Sequence, residues 1–229
     1  MRLLLVFATE TEAASVLPFL SDRMERVVGR PLLSFRREQV SMEVLVTGVG
    51  SPRTAFELGR YLATTPVDLA VNAGIAGSYR RDIAPGQVVH VISERFADLG
   101  VEERDGRFVD LFAAGIARAD EPPFADGVLH NLDAANYGFL PVAHGLTVNR
   151  VHGSAESIAS VRQRCPADVE SMEGAAFFLS CLLSEVPFLE IRAVSNYVEP
   201  RNKTAWDIPG ALHALGDVLG ELLALFLPA

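Results

Sequence analysis

Cysteine is nearly absent from this chain. Cys165 and Cys181 are the only two in 229 residues, which excludes a disulfide framework, a C-x-x-C redox pair and a cysteine metal cluster. Both lie beside apolar stretches and read as buried thiols. The five histidines, His90, His130, His144, His152 and His213, fall at no ligand spacing, so no metal and no cofactor is expected. The sequence has no G-x-S-x-G elbow and no Walker A loop. It also lacks G-x-G-x-x-G, because Arg53 stands where a third glycine would follow Gly48 and Gly50. Long hydrophobic runs are missing too. The apolar start Met1–Phe7 stops at Ala8, with Glu10 and Glu12 close behind, too short for a signal peptide or a membrane span. A reducing, cytoplasmic location is expected. Basic charge is in deficit, with 20 Lys and Arg against 29 Asp and Glu, a net charge of −9. That balance argues against nucleic acid or an anionic membrane as partner, and a small anionic substrate would need a local basic group.

What is present is a chain that can bury one substantial core. Hydrophobic residues make up 49% and charged residues 21%, so residues 1–229 are read as a single ordered domain. Leu3–Ala8 is a continuous apolar run of the kind that forms a central, doubly covered strand. Further strands are expected at Met42–Thr47, Val67–Asn72, Val88–Ser93, Leu146–Asn149 and Phe188–Ser195. Helices are expected from Thr9 or Thr11 to about Leu20, and over Arg53–Leu62, Ser154–Arg162, Met172–Ser184 and Ile208–Phe226. Strands alternating with helices favour a mostly parallel α/β sheet with ligands at the carboxyl ends of its strands. Gly48-Val49-Gly50 and Gly74-Ile75-Ala76-Gly77 read as tight turns after strands. Residues 106–138, with Pro122-Pro123 and no clean period, read as an irregular insertion covering a site or a subunit contact.

The residues that can carry chemistry cluster at the ends of these strands. Glu12 can act as a general base on water, or merely complement a helix N-terminus. Glu173 can accept two hydrogen bonds from a vicinal diol, with Met172 as an adaptable apolar wall; a helix-start glutamate beside a core methionine is the plainer alternative. Asn196 ends an apolar strand and can read a heterocycle, or simply serve a turn. Trp206 can pack there, or only anchor the last helix.

Taken in order, Ala8–Glu12, Thr47-Gly48-Val49-Gly50, Asn72–Gly77, Met172-Glu173 and the loop at Asn196 resemble the methylthioadenosine/S-adenosylhomocysteine nucleosidases of the purine nucleoside phosphorylase superfamily. The match runs over nearly the whole chain, with 106–138 the poorest part. The resemblance implies a three-layer α/β sandwich with a mixed, largely parallel central sheet, and a homodimer or higher homo-oligomer whose partner lends apolar residues to the site. It also implies that Glu12 activates water, that Glu173 binds the ribose 2′ and 3′ hydroxyls, that Met172 packs on the sugar, and that Val151 and His152 edge the purine pocket.

The chain departs from that family at two places. Where phosphorylases of the superfamily hold phosphate with Arg and Ser, the chain has Asn72 and Ile75, so water is the expected nucleophile. Where adenine nucleosidases have Asp, it has Asn196. In the transition state the purine N7 gains a proton. Adenine then presents two donors, N7–H and the 6-amino group, which an ionised Asp accepts. Hypoxanthine presents N7–H and the O6 acceptor, which the acceptor and donor of Asn match together. A misfit leaves buried polar groups unpaired, at about 1–3 kcal/mol each. The wording Glu170–Ala176 with Ser195–Asn202 resembles the futalosine hydrolases of the alternative menaquinone pathway, which release hypoxanthine from a substrate with a carboxyphenyl group on its 5′ side. Residues 96–139 and one of Arg53, Arg107, Arg201 or Lys203 are candidates to receive that tail. Three alternatives stay open at this point: an adenine-releasing nucleosidase, a phosphorylase of inosine or guanosine, and a catalytically silent nucleoside-binding member of the fold.

Overall fold

The computed structural model describes residues 1–29, 32–133 and 138–227. The first half of the chain forms β1 (Arg2–Phe7), α1 (Glu10–Ala14), α2 (Leu17–Arg23), β2 (Glu25–Val27), β3 (Leu33–Arg37), β4 (Val40–Val46), α3 (Ser51–Leu62), β5 (Leu69–Ser78) and β6 (Val88–Phe96). There follow β7 (Gly100–Glu102), β8 (Phe108–Asp110), β9 (Leu129–His130), β10 (Val142–Thr147), α4 (Ala155–Arg164), β11 (Val169–Ser171), α5 (Gly174–Leu183), β12 (Phe188–Tyr197) and α6 (Ile208–Ala224).

Among the described residues a mixed sheet runs in the order β11-β10-β6-β12-β5-β1-β4-β3-β2, with β9 against β6. Its centre is parallel: β1 lies between β4 and β5, and β12 runs beside β5. Antiparallel partners flank it, β3 on β4 and β6 on β12. Because β1 is apolar and buried from Leu3 to Phe7, it serves both faces. Leu3, Leu5 and Phe7 pack with Ala13 of α1, Leu20 of α2 and Leu215 and Leu219 of α6. Leu4 and Val6 face the other way, onto Leu58 of α3 and Phe177 and Phe178 of α5. The sheet is thus covered on both faces, which is the expected three-layer sandwich.

One feature goes beyond that expectation. β11 pairs in parallel with β10 and antiparallel with β5, so β5, β12, β6, β10 and β11 close into a ring. Ala76, Val89, Val91, Ala143, Val169 and Val194 pack together from these strands.

Other departures have local causes. The single helix expected to Leu20 is split, because Pro18 cannot donate within a continuous helix and instead sits in the first turn of α2. β5 does not stop at Asn72; it continues through Gly74 and Gly77 to Ser78, paired with β12 as it goes. The Gly74–Gly77 stretch is therefore strand and not turn. In the insertion, β8 pairs with β7 as a small hairpin and β9 joins the main sheet; its residues 134–137 lie outside the described ones.

Candidate active site

A cavity of about 220 Å³ lies where the carboxyl ends of β1, β5, β11 and β12 meet. Ile75, Val151, His152, Met172, Glu173, Glu12 and Asn196 all line it, so the residues expected at the water, the sugar and the base fall in this one place.

Glu12 arrives on the short helix after β1. Thr9 is the N-cap of that helix and Glu12 is its N3 residue, so the two form a capping box. Glu12 Oε2 accepts from the Thr9 backbone N–H at 3.0 Å and from its hydroxyl at 2.8 Å. Oε1 accepts from the Ile75 N–H at 3.1 Å. Glu12 thus caps its helix and also presents a fixed, buried carboxyl to the cavity.

Gly74 keeps that carboxyl in place. A Cβ there would stand 2.7 Å from Glu12 Oε1 and 2.5 Å from Arg192 Nη1, so only glycine lets β5 pass between acid and base.

Glu173 is the N-cap residue of α5. Its Oε1 accepts from the Gly50 N–H at 2.9 Å. Gly50 is able to aim that N–H because the turn after β4 uses positive φ at Gly48 and Gly50, +89° and +95°. Burial raises the Glu173 carboxyl above its ordinary 4.5; the Arg192 charge and the Gly50 N–H oppose the rise, and the Glu12 charge adds to it. Met172, next in line, accepts from the Ser51 hydroxyl through its carbonyl.

Asn196 is aimed by a bulge. The register of β12 against β5 skips Ser195, leaving Asn196 opposite Gly77. One side-chain atom of Asn196 lies 2.9 Å from the Tyr197 carbonyl oxygen, which can only accept, so that atom is Nδ2. Oδ1 accepts from the Ser195 hydroxyl at 2.8 Å. One N–H and one lone pair of the amide remain for a ligand.

Two residues that sequence reasoning did not assign complete the wall and the floor. Glu170 of β11 lines the cavity and accepts from the His152 N–H at 3.1 Å, from His152 Nδ1 at 2.5 Å and from the Tyr79 hydroxyl. Arg192 is 2% exposed beneath the cavity, with Nε on Glu190 at 2.7 Å and Nη2 on Asn72. An arginine inside an apolar run is itself a sequence signal of a buried ion pair. Glu170 gave no such signal, because a three-residue strand is too short to show a period.

Glu94 and Glu190 lie against Gly174, each with one oxygen unpartnered among the described residues. Burial first, then the Glu190 charge, hold Glu94 well above the usual carboxylate range. Asn72 is committed as well, donating to the Val6 carbonyl at 3.0 Å. Of the basic candidates for the tail, Arg201 lines the cavity and Arg53, Arg107 and Lys203 do not; none of the described residues of 96–139 does. Among the described residues no cluster of His, Cys, Asp or Glu could hold a metal ion, and no helix is long and apolar enough to cross a membrane.

The chain is similar to known proteins over most of its length. The family model described as "Phosphorylase superfamily" matches residues 2–227. A futalosine hydrolase of Streptomyces coelicolor is 35% identical over 201 residues, 85% of this chain and 84% of that protein. Another, from Thermus thermophilus, is 37% identical over 182 residues, 79% of this chain and 80% of that one. Among solved structures, a futalosine hydrolase of Helicobacter pylori superposes with a TM-score of 0.77 at 14% identity, covering 98% of each chain, a likeness of fold.

Proposed function

This chain belongs to the phosphorylase superfamily, beside the futalosine hydrolases that match most of its length, and on that premise we propose that it hydrolyses the N-glycosidic bond of futalosine, releasing hypoxanthine and dehypoxanthine futalosine for menaquinone biosynthesis. The observation that carries the choice of base is the Asn196 amide, pinned so that one donor and one acceptor face the cavity.

In this mechanism Glu173 Oε2 and Met172 hold the ribose, the carboxylate accepting from the 2′ and 3′ hydroxyls. Glu12 takes a proton from water, and the new oxygen–carbon bond forms at C1′. The glycosidic electron pair leaves with the purine, and N7 gains its proton through a water that is restored by the proton Glu12 took, because Asn196 cannot donate one. Asn196 Oδ1 then accepts from N7–H while Nδ2 donates to O6, a pairing strongest once N7 is protonated and therefore one that favours the transition state. Arg192 holds Glu12 and Glu173 in reach of its charge without touching the ligand. Arg201, stacked on Trp206 at 5.3 Å, is the best-placed cation for a carboxylate tail.

A phosphorylase reading has less support, since Asn72 is already bonded to Val6 and Arg192 and Ile75 has no hydroxyl. Hypoxanthine release from futalosine, followed by chromatography with and without phosphate, tests this: equal rates are expected, and a phosphate requirement would place the protein among phosphorylases. We further propose a homodimer. Val49 and Val151 at the cavity are 52% and 37% exposed, apolar surface that a second copy would cover, and light scattering of the whole protein checks it.

A further inference from the structure

Glu12, Glu173, Glu94 and Glu190 surround Arg192, and the cavity chemistry uses only the first two. Glu94 of β6 and Glu190 of β12 lie deeper, 1% and 0% exposed. They meet beside α5, where a Cβ at Gly174 would stand 2.1 Å from Glu94 Oε1 and 2.7 Å from Glu190 Oε1. Gly145 of β10 makes room on the Glu94 flank, since a Cβ there would also stand 2.1 Å from Oε1. Glu94 Oε1 and Glu190 Oε2 have no partner among the described residues. Two buried anions side by side are strongly disfavoured, and such a pair is relieved when one member keeps its proton.

The hydrogen bonds distinguish the two carboxyls. Thr147 Oγ1 accepts from the Ala175 N–H at 2.7 Å, so its one hydroxyl hydrogen goes to Glu94 Oε2, also at 2.7 Å. Oε2 is thereby the accepting oxygen of Glu94, and a proton on that group belongs on Oε1. Glu190 is the opposite case. Its Oε1 accepts from Arg192 Nε at 2.7 Å, a charge-assisted bond that calls for the carboxylate. Burial raises both groups; the Arg192 charge and hydrogen bond oppose the rise at Glu190, whereas the Glu190 charge adds to it at Glu94.

We propose that Glu94 and Glu190 are positioning residues that share one proton, which Glu94 Oε1 donates to the Glu190 carboxylate, so that the single charge left on the pair holds Arg192 by Nε. What this does for turnover rests on the hydrolytic reading above. Arg192 Nη2 donates to Asn72. Its Nη1 and Glu12 Oε1 both lie over Gly74, 2.5 and 2.7 Å from where a Cβ would stand. Anchoring Nε therefore fixes the edge of the guanidinium that faces Glu12. The charged groups around the pair are Glu190 and Arg192 on β12, Glu173 at the start of α5 and Glu12 on α1; β10 brings only Gly145 and Thr147. A second negative charge on the pair would draw Arg192 away from Glu12 and Glu173 and raise both carboxyls.

Infrared spectroscopy of the whole protein reads the proton directly, because a protonated carboxyl absorbs apart from carboxylates. Wild type at neutral pH should show a protonated-acid band that Glu94→Gln lacks. Kinetics with futalosine should separate the two residues as well. In Glu94→Gln the amide oxygen stays with Thr147 and the N–H2 donates to Glu190, so the acid limb of kcat/KM should coincide with that of wild type. Glu190→Gln takes the charge from Arg192 Nε, and kcat/KM should fall by at least ~10-fold, the scale of one lost charge-assisted hydrogen bond. Absence of the band from wild type, its retention in Glu94→Gln, a moved limb in that variant, or a fully active Glu190→Gln overturns the proposal. Should Glu94→Gln not fold, the band in Glu190→Gln decides: its donor then meets an amide in place of a carboxylate, so the band must shift or vanish, and an unmoved band overturns the proposal equally. If wild type hydrolyses no nucleoside, the hydrolytic reading fails, and the infrared comparison alone judges the shared proton.

Discussion

Glu12 caps its helix and, in the proposed mechanism, also serves as the base, and a single substitution separates the two. Glu12→Gln keeps an acceptor for the Thr9 cap and gives up only the bond from the Ile75 N–H, so the fold and the binding of hypoxanthine should survive. Without the base, turnover should fall by ~10²–10⁴-fold, the usual scale of general-base catalysis. Single-turnover kinetics beside a thermal melt checks it; normal turnover would remove Glu12 from the mechanism. Glu173 carries a pH signature. It must be ionised to accept two hydroxyls, and burial holds its carboxyl above the ordinary 4.5. Protonation on the way to acid therefore begins at higher pH than for a free carboxylate, and KM for the nucleoside should rise there while the protein stays folded. The trend is opposite for stability: ionising a carboxyl whose folded value is raised costs the folded state, so this group favours folding below its unfolded value and loses that contribution as pH climbs through the folded one. A KM flat across that range would contradict the assigned role.

At the scale of elements, two strands act as the site's chassis because they run on where the sequence suggested they stop. Ala73-Gly74-Ile75-Ala76-Gly77 carries the composition of a turn, and small residues give no apolar period to count. Pairing overrides that local bias. β12 bonds along β5 as far as Ser78, and the glycines serve close approach, Gly74 to Glu12 and Arg192, Gly77 to Asn196. Gly74→Ala should accordingly lower kcat/KM more than it lowers stability, since the added methyl displaces Glu12 Oε1 and Arg192 while the strand itself tolerates alanine; urea unfolding against steady-state kinetics measures both. The central strands and longer helices were legible because their periods are long. β2, β3 and β11 were not, being short or charged at the sheet's edge, and Glu170 went unassigned with β11. Glu12, Glu173 and Asn196 stood out by residue type near strand ends, but that signal left plainer readings open, and the family resemblance carried their assigned roles.

Across the whole molecule, acidic net charge and a buried positive centre divide the work. The surface offers no attraction to polyanions, whereas Arg192 sits with Glu12, Glu173, Glu94 and Glu190 around it. Such a centre holds the Glu12 and Glu173 carboxyls near one another without adding a cation to the cavity, which suits the proposed hydrolysis better than capture of phosphate. The central claim is that an amide at position 196 selects a 6-oxopurine. Its most direct test is base release from futalosine and methylthioadenosine in parallel, by wild type and by Asn196→Asp, in phosphate-free buffer. Hypoxanthine from futalosine with little adenine from methylthioadenosine is expected in the wild type, and a ratio moved toward adenine in the variant. Adenine release by the wild type, or a ratio that does not move, would contradict it.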